Sequence, residues 1–223
     1  MSKGEVKPLI IVGAGGLGRE VAWLVEDINK NTPQWNLLGF VDDGVNGFTV
    51  EDYPILGDVD SLFYMEPLPW VIVAIANASV RKRIVGQIQL RGMSMATLIH
   101  PSVQSSRFVE IGEGSIICAG SVITTNITLG LSSIVNPNCF IGHDTVLQNY
   151  VSLMPGVHVA GEVKLGEGVY MGLHSCVINR TSIGEWSIIG AGATVVSDIP
   201  PNSLAVGVPA RVVKRVRNEE KEQ

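Results

Sequence analysis

The sequence predicts two units: a small N-terminal Rossmann-like parallel α/β domain over residues 1–100, then a left-handed parallel β-helix of hexapeptide repeats over 101–223. Two patterns support this prediction. In the first hundred residues, apolar strands alternate with helical segments, and the first strand runs into a glycine-rich loop. In the rest of the chain an aliphatic residue recurs at every sixth position, a period that fits neither an α-helix nor a plain alternating strand.

The N-terminal unit is predicted to hold a parallel sheet of four or five strands. Its expected elements, in chain order, are a strand at Pro8–Val12, a helix from Arg19 to about Asn29, a strand at Asn36–Val41, a strand at Trp70–Ala76, a helix at about Ser79–Leu90 and a last strand at Met95–Ile99. Ligands of such sheets bind at the carboxyl ends of the strands.

The loop between the first strand and helix reads Gly-Ala-Gly-Gly-Leu-Gly, a G-x-G-x-x-G pattern in the strand–turn–helix context that gives the motif meaning. Its glycines let backbone approach a phosphate at a helix N-terminus. We expect this unit to bind a nucleotide-sugar through Gly15, Gly16, Asp42, Asp43, Asn77 and Arg81. Two alternatives stay open: a nicotinamide cofactor site, and glycines that serve only a tight turn.

The six-residue repeat begins at Ile111 and continues without a slip. Its aliphatic residues are Ile111, Ile117, Ile123, Leu129, Val135, Ile141, Leu147, Leu153, Val159, Leu165, Met171, Val177, Ile183, Ile189 and Val195. A small or β-branched residue follows four positions after most of them, with Ile127 as the clear exception. This predicts a triangular prism of 18 residues per coil with about five coils over 111–200, stacked about 4.8 Å apart.

Composition excludes several classes of function. The formal net charge is −5, with Lys and Arg clustered only near Arg81–Arg83 and after Arg211, so bulk nucleic-acid binding is not expected. The longest apolar run, Trp70–Ala76, is too short to span a membrane, and the N-terminus lacks a secretory signal pattern. Three cysteines without a CxxC spacing suit the reducing cytoplasm. The histidines miss the 18-residue spacing that a metal site on stacked coils needs, so no metal is expected.

Several motifs together resemble one family. They are Ile-Val-Gly-Ala-Gly-Gly-Leu-Gly-Arg-Glu-Val-Ala, Gly-Phe-Val-Asp-Asp, Ile-His-Pro-Ser, Ile141-Gly-His-Asp-Thr, Ala160-Gly-Glu-Val, Pro200-Pro-Asn and Val206-Gly-Val-Pro-Ala210. Over nearly its whole length the chain resembles the sialic acid O-acetyltransferase NeuD family, which includes PglD-like UDP-4-amino-sugar N-acetyltransferases and perosamine N-acetyltransferases.

The resemblance implies an acetyl-CoA-dependent sugar acetyltransferase that works as a cytoplasmic homotrimer with its sites between subunits. The favoured reaction is N-acetylation of a nucleotide-linked 4-amino sugar for surface glycan biosynthesis. It implies His143 as the general base with Asp144 beside it, a substrate contact from Asn136, and acetyl-CoA contacts from Gly161, Gly172, Leu173, Gly190, Ala191 and Lys214. Many family members carry a second histidine nine residues after the first, where this chain has Ser152.

The chemistry of these residue types fits acyl transfer. An imidazole titrates near neutral pH and can take the proton of an attacking amine or hydroxyl, and a carboxylate can fix its tautomer. Gly161 follows His143 by 18 residues, which predicts that the two lie stacked on neighbouring coils. Three other readings stay open: O-acetylation of sialic acid or another sugar, a nicotinamide-dependent oxidoreductase on a trimeric scaffold, and a non-catalytic nucleotide-binding trimer.

Overall fold

The computed structural model describes residues 6–44 and 48–216 and divides the chain into two compact units, residues 1–101 and 102–223. The elements of the first unit are β1 (Lys7–Val12), α1 (Gly16–Asn31), β2 (Trp35–Val41), β3 (Thr49–Val50), β4 (Tyr53–Pro54), a 3₁₀ helix (Asp60–Tyr64), β5 (Trp70–Val73), α2 (Ala78–Leu90) and β6 (Leu98–Ile99). The central sheet is parallel with the order β2-β1-β5.

This sheet is smaller than the sequence predicts, with three strands in place of four or five. Met95 makes only an isolated parallel bridge to Val71. The expected strand at 70–76 ends at Val73, because the chain then turns toward α2 and the Arg81 guanidinium takes the carbonyls of Ile75 and Ala76. A buried cation thus replaces the strand ladder as the partner of these carbonyls.

The second unit is a three-faced parallel β-solenoid made of short strands. The first face consists of β7 (Gln104–Ser105), β10 (Val122–Ile123), β13 (Phe140–Ile141), β16 (His158–Val159), β19 (Cys176–Val177) and β22 (Thr194–Val195). The second consists of β8 (Val109–Ile111), β11 (Ile127–Leu129), β14 (Val146–Leu147), β17 (Lys164–Leu165) and β20 (Ser182–Ile183). The third consists of β9 (Ile116–Ile117), β12 (Ile134–Val135), β15 (Ser152–Leu153), β18 (Tyr170–Met171), β21 (Ile188–Ile189), β23 (Ser203–Val206) and the antiparallel β24 (Arg211–Arg215).

The solenoid begins one strand earlier than the aliphatic repeat indicates. The first face has six strands because β7 precedes Ile111. Ser105 occupies the six-residue phase in β7, so a search for aliphatic residues misses that strand.

Burial confirms the inward positions of the repeat. Fourteen of the fifteen aliphatic residues are buried, and the first, Ile111, is half-buried at the end of the stack. The small positions are buried as well, including Ser115, Thr145 and Ala193, and Ile127 is accommodated there. Each strand pairs with the strand 18 residues later, as Ile141 does with Val159.

The corners of the prism share one backbone conformation. Every sixth residue from 114 to 192 has a positive φ: Gly114, Gly120, Asn126, Ser132, Asn138, Asp144, Tyr150, Gly156, Glu162, Gly168, His174, Arg180, Trp186 and Gly192. Side chains rarely adopt this conformation without compensation. The amide of each corner residue donates to a carbonyl of the preceding coil, as Asp144 does to Thr125 at 3.2 Å and Glu162 does to His143 at 2.7 Å. These hydrogen bonds, repeated along each corner, offset the backbone strain.

Candidate active site

The corner between the first and second faces carries the candidate catalytic residues. We call it the His143 corner; its corner positions are Asn126, Asp144, Glu162 and Arg180, each 18 residues after the last. His143 precedes Asp144 and follows β13, and its ring lies against Gly161 on the next coil. A Cβ atom built on Gly161 would stand 2.6 Å from Nε2 of His143 and 2.7 Å from Cε1. The predicted stacking of these two residues is therefore present.

The imidazole is held by its neighbour in the chain. His143 Nδ1 lies 2.7 Å from Oδ2 of Asp144, and the two side chains are 52% and 47% exposed. A hydrogen bond from Asn126 lowers the pKa of Asp144 below its usual range, and the hydrogen bond with His143 lowers it further. Asp144 is thus a carboxylate at neutral pH and only accepts hydrogen bonds. Nδ1 consequently carries the hydrogen, and Nε2 is the atom free to take a proton.

The Gly161 amide is a donor without an acceptor. The ladder between coils uses the carbonyl of Gly161, which accepts from Arg180 at 3.2 Å, but its N–H has no acceptor among residues 6–44 and 48–216. The equivalent amide of Leu131 donates to Oδ1 of Asn149 at 2.9 Å, so such amides can reach a polar group outside the backbone ladder.

Burial distinguishes Gly161 from its equivalents on the same corner. Gly161 is buried, whereas Thr125, His143 and Asn179 are exposed. A buried amide without a partner is costly, whereas an exposed one donates to water. An acetyl carbonyl beside Nε2 would supply the missing acceptor, which suits the contact expected of Gly161.

A second ion pair lies on the same corner, and sequence reasoning missed it. Arg180 donates three hydrogen bonds to the carboxylate of Glu162, at 3.0 and 3.1 Å. This contact lowers the pKa of Glu162. Both residues follow from adding multiples of 18 to position 126 or 144, so the repeat itself contains the signal that locates them.

The glycine loop of the first unit separates into packing glycines and open glycines. Gly13 has φ +100°, and a Cβ there would lie 2.9 Å from the carbonyl oxygen of Ala74. A Cβ on Gly18 would overlap the carbonyl of Gly13. At Gly15 and Gly16 a Cβ would meet no protein atom within 4 Å, so the packing of the protein does not explain glycine there. Open glycines at the start of α1 suit the approach of a phosphate group.

The two aspartates after β2 have different places. Asp42 accepts a hydrogen bond from the Ala14 amide at 2.7 Å, so it closes the glycine loop onto the end of β2. Asp43 accepts from the Val59 amide at 2.8 Å and lines a cleft of about 390 Å³. Other residues of that cleft are Asp58, Asp60, Arg83 and Gln87.

Asn77 and Arg81 support the loop after β5. Asn77 is the N-cap of α2, and its Oδ1 accepts from the amides of Ser79 and Val80 at 3.0 and 3.1 Å. Arg81 is fully buried and donates to the carbonyl of Ile75 at 2.7 Å. A buried guanidinium offers no surface to a ligand in this conformation, which corrects our expectation of a direct substrate contact. Its part in substrate binding is to hold the loop.

The remaining predicted contacts lie away from the His143 corner. Asn136 is buried and donates from Nδ2 to the carbonyl of Leu153 at 2.8 Å. The glycines at 172 and 190 are required by close stacking, because a Cβ on the first would lie 2.6 Å from the amide of Ala191 and a Cβ on the second 2.7 Å from Val206. The side chain of Leu173 is 49% exposed.

The structure also locates the C-terminal basic cluster. Lys214 is exposed on β24, together with Arg211 and Arg215. Arg217, expected to belong to the same cluster, lies outside the described residues. The contacts predicted between acetyl-CoA and residues 172–191 and 214 therefore stay predictions.

Two comparisons with known proteins decide the family. The PglD N-terminal domain family matches residues 8–88. GDP-perosamine N-acetyltransferase from Escherichia coli O157:H7 is 33% identical over 214 residues, which cover 92% of this chain and 96% of that protein. This chain belongs to the PglD-like N-acetyltransferase family.

Solved structures agree with this membership. PerB from Caulobacter crescentus, in complex with CoA and GDP-perosamine, aligns with a TM-score of 0.87 and 30% identity over 94% of this chain and 99% of that one. The acetyltransferase domain of PglB from Neisseria gonorrhoeae FA1090, in complex with acetyl coenzyme A, gives a TM-score of 0.88 and 30% identity over 94% and 100%. The predicted family, the two-part fold with its left-handed β-helix, and the acetyltransferase class are therefore confirmed.

Two searches for other features of the described residues found none. In residues 6–44 and 48–216, no group of three His, Cys, Asp or Glu side chains could hold a metal ion. Within those same ranges, no helix is long and apolar enough to cross a membrane. Ser152, at the position of the family's second histidine, is buried on the third face, opposite the His143 corner.

Proposed function

We propose that this protein transfers the acetyl group of acetyl-CoA to the amine of a nucleotide-linked 4-amino sugar, with His143 as the general base. The observation that carries the proposal is the His143 corner, where Nε2 of a tautomer fixed by Asp144 lies over the Gly161 amide. PerB, a relative of similar length, binds CoA and GDP-perosamine, which supports both substrates of the proposed reaction.

The reaction follows from these atoms. The sugar amine attacks the thioester carbonyl carbon while Nε2 of His143 takes a proton from the nitrogen. The Gly161 N–H donates to the oxygen on which negative charge develops. The intermediate then collapses, the C–S bond breaks, and the thiolate of CoA receives a proton. Asp144 stabilises the imidazolium that forms in between.

Each group has a defined share of the rate. A positioned base typically contributes about 10²- to 10⁴-fold. One oxyanion donor contributes about 10²- to 10³-fold in other acyl-transfer enzymes. An amine is a better nucleophile than a hydroxyl, so the half-exposed pair of His143 and Asp144 suits N-acetylation.

The first unit is proposed to bind the nucleotide. The open glycines, Gly15 and Gly16, would accept the phosphates at the start of α1, and Asp42 holds that loop in place. Asp43, at the carboxyl end of β2, would contact the ribose or base from the cleft it lines. Acetyl-CoA is proposed to lie along the coils near Leu173 and Ala191, with Lys214 on its phosphates.

A homotrimer in the cytoplasm is the proposed working form. The half-exposed His143 needs further walls to exclude water. The first face offers a partly exposed, largely apolar column of Val122, Phe140, His158 and Cys176, whose exposure suits contact with a second copy. All three cysteines are free, as a reducing compartment favours. An N-acetylated nucleotide sugar is an activated donor, so its proposed destination is surface glycan assembly.

The test is release of CoA thiol from acetyl-CoA in the presence of GDP- and UDP-linked 4-amino sugars and of free sialic acid. We expect turnover with one amino sugar, and a loss of more than 10²-fold in His143→Ala with thermal stabilisation by CoA retained. Turnover with sialic acid alone would make the chain an O-acetyltransferase. Thermal stabilisation by nucleotides without thiol release from any acceptor would favour a non-catalytic nucleotide-binding protein.

A further inference from the structure

Asn126 lies one coil before Asp144 on the His143 corner. Its Nδ2 donates to Oδ1 of Asp144 at 2.5 Å, while the other oxygen of the same carboxylate contacts His143 at 2.7 Å. Both oxygens of Asp144 are thus engaged, one on each side. The two contacts together fix the plane of the carboxylate.

The solvent exposure of Asp144 makes this second contact matter. The side chain is 47% exposed, and an exposed carboxylate with one partner rotates and exchanges that partner with water. The backbone does not prevent such rotation, because the hydrogen bond from the Asp144 amide to Thr125 fixes only the main chain. Among the described residues, Asn126 supplies the other side-chain contact that the structure gives the carboxylate.

The other carboxylate of the corner is held away from the imidazole. Glu162 lies one coil after Asp144, and its charge acts on His143. Arg180 binds both of its oxygens from the coil above. The corner therefore has two polar pairs on alternate coils, one that orients Asp144 and one that occupies Glu162.

We propose that Asn126 is a positioning residue for acetyl transfer: its bond to Oδ1 holds Asp144 so that Nδ1 of His143 keeps its hydrogen and Nε2 stays over Gly161. The inference rests on the proposed role of His143 as the base. Neither the six-residue repeat nor the motifs of the sequence assign a role to Asn126.

The decisive substitution is Asn126→Asp. It keeps the size of the side chain and tolerates a positive φ, but at neutral pH it replaces the donor with a second carboxylate facing Asp144. A matched control is Asn138→Asp, because Asn138 has φ 58° at another corner, against 55° for Asn126. The two variants thus share backbone conformation and charge change and differ in the corner they affect.

We expect Asn126→Asp to lower kcat by about tenfold or more with little change in KM for acetyl-CoA, and Asn138→Asp to remain within about twofold of the wild type. The second readout is independent of turnover. Nitrogen-15 NMR of labelled histidine should show one His143 tautomer, protonated on Nδ1, in the wild type, and a mixture in Asn126→Asp.

The outcomes separate this inference from the proposed function. Wild-type kcat and a single tautomer in Asn126→Asp, with activity lost in His143→Ala, would refute the role of Asn126 alone. Full activity in His143→Ala would refute the proposed base, whereas the tautomer measurement would still test whether Asn126 orients the pair. Asn126→Ala gives a further check, since loss of the donor without added charge should also produce mixed tautomers.

Discussion

Gly161→Ala is the substitution that tests the site most directly. The added Cβ would stand 2.6 Å from Nε2 of His143, 2.7 Å from Cε1 and 3.0 Å from Cδ2. Gly161 lies outside the left-handed region, so alanine adopts its backbone without strain. The atoms in the way belong to the end of a half-exposed side chain rather than to backbone. The imidazole moves, and the coil does not.

The size of the displacement follows from these distances. Ordinary van der Waals contact begins at 3.4 Å, so the ring must retreat by about 0.8 Å, the difference between 3.4 and 2.6 Å. The same movement strains the 2.7 Å contact between Nδ1 and Asp144. A displacement of about 1 Å at a catalytic group costs about 10²-fold in rate. Stability should change by no more than about 1 kcal/mol, because the unfolded chain also loses freedom.

The assay is thiol release at saturating substrates, with thermal unfolding in parallel. We expect kcat to fall by about 10²-fold while the melting temperature stays within a few degrees. Gly86→Ala is the control, since a Cβ at that position in α2 meets no atom within 4 Å and the residue has no part in the site. Undiminished kcat in Gly161→Ala would show that the imidazole does not act from its place over the glycine.

Two further predictions concern other glycines and the cysteines. Gly15→Ala should fold normally but raise KM for the nucleotide sugar, because its Cβ enters open space, whereas Gly18→Ala should destabilise the first unit by roughly 1–3 kcal/mol through its clash with the Gly13 carbonyl. Ligand titration and thermal unfolding measure the two effects. Burial raises the pKa of Cys139 to about 11, so about one thiol in a thousand is ionised at pH 8. A thiol reagent should label half-buried Cys176 first, and rapid labelling of the folded protein at Cys139 would contradict the buried placement.

The fold of the second unit was readable from the sequence because its period is a geometric property. Aliphatic residues every six positions have to point inward together, and Ile117 to Val195 do so. The corners were not readable. Only five of their fourteen positions between 114 and 192 are glycine, and residues as large as Tyr150 and Trp186 adopt a positive φ there. Hydrogen bonds between coils, rather than residue type, allow that conformation.

In the first unit, the limit of sequence reasoning was what happens after a strand. Trp70–Ala76 is a continuous apolar run, and nothing in its composition marks the end of β5 at Val73. The end depends on Arg81, a residue on the following helix that reaches back to two carbonyls. From the sequence, an arginine near a glycine loop resembles a phosphate contact. Only its complete burial reveals the supporting role.

The candidate site shows how a scaffold with repeated corners produces one reactive place. Every corner supplies a left-handed residue and a hydrogen bond to the coil below, so none of these features is specific to catalysis. On the His143 corner, the 18-residue period places an imidazole over a glycine, a carboxylate beside the imidazole and an amide donor on the coil before. An exchange of Gly161 with a larger residue would leave the prism intact and remove the overlap. The specificity of the corner therefore resides in a few side chains, and substitutions that spare the backbone ladder are the ones that distinguish an enzyme from its scaffold.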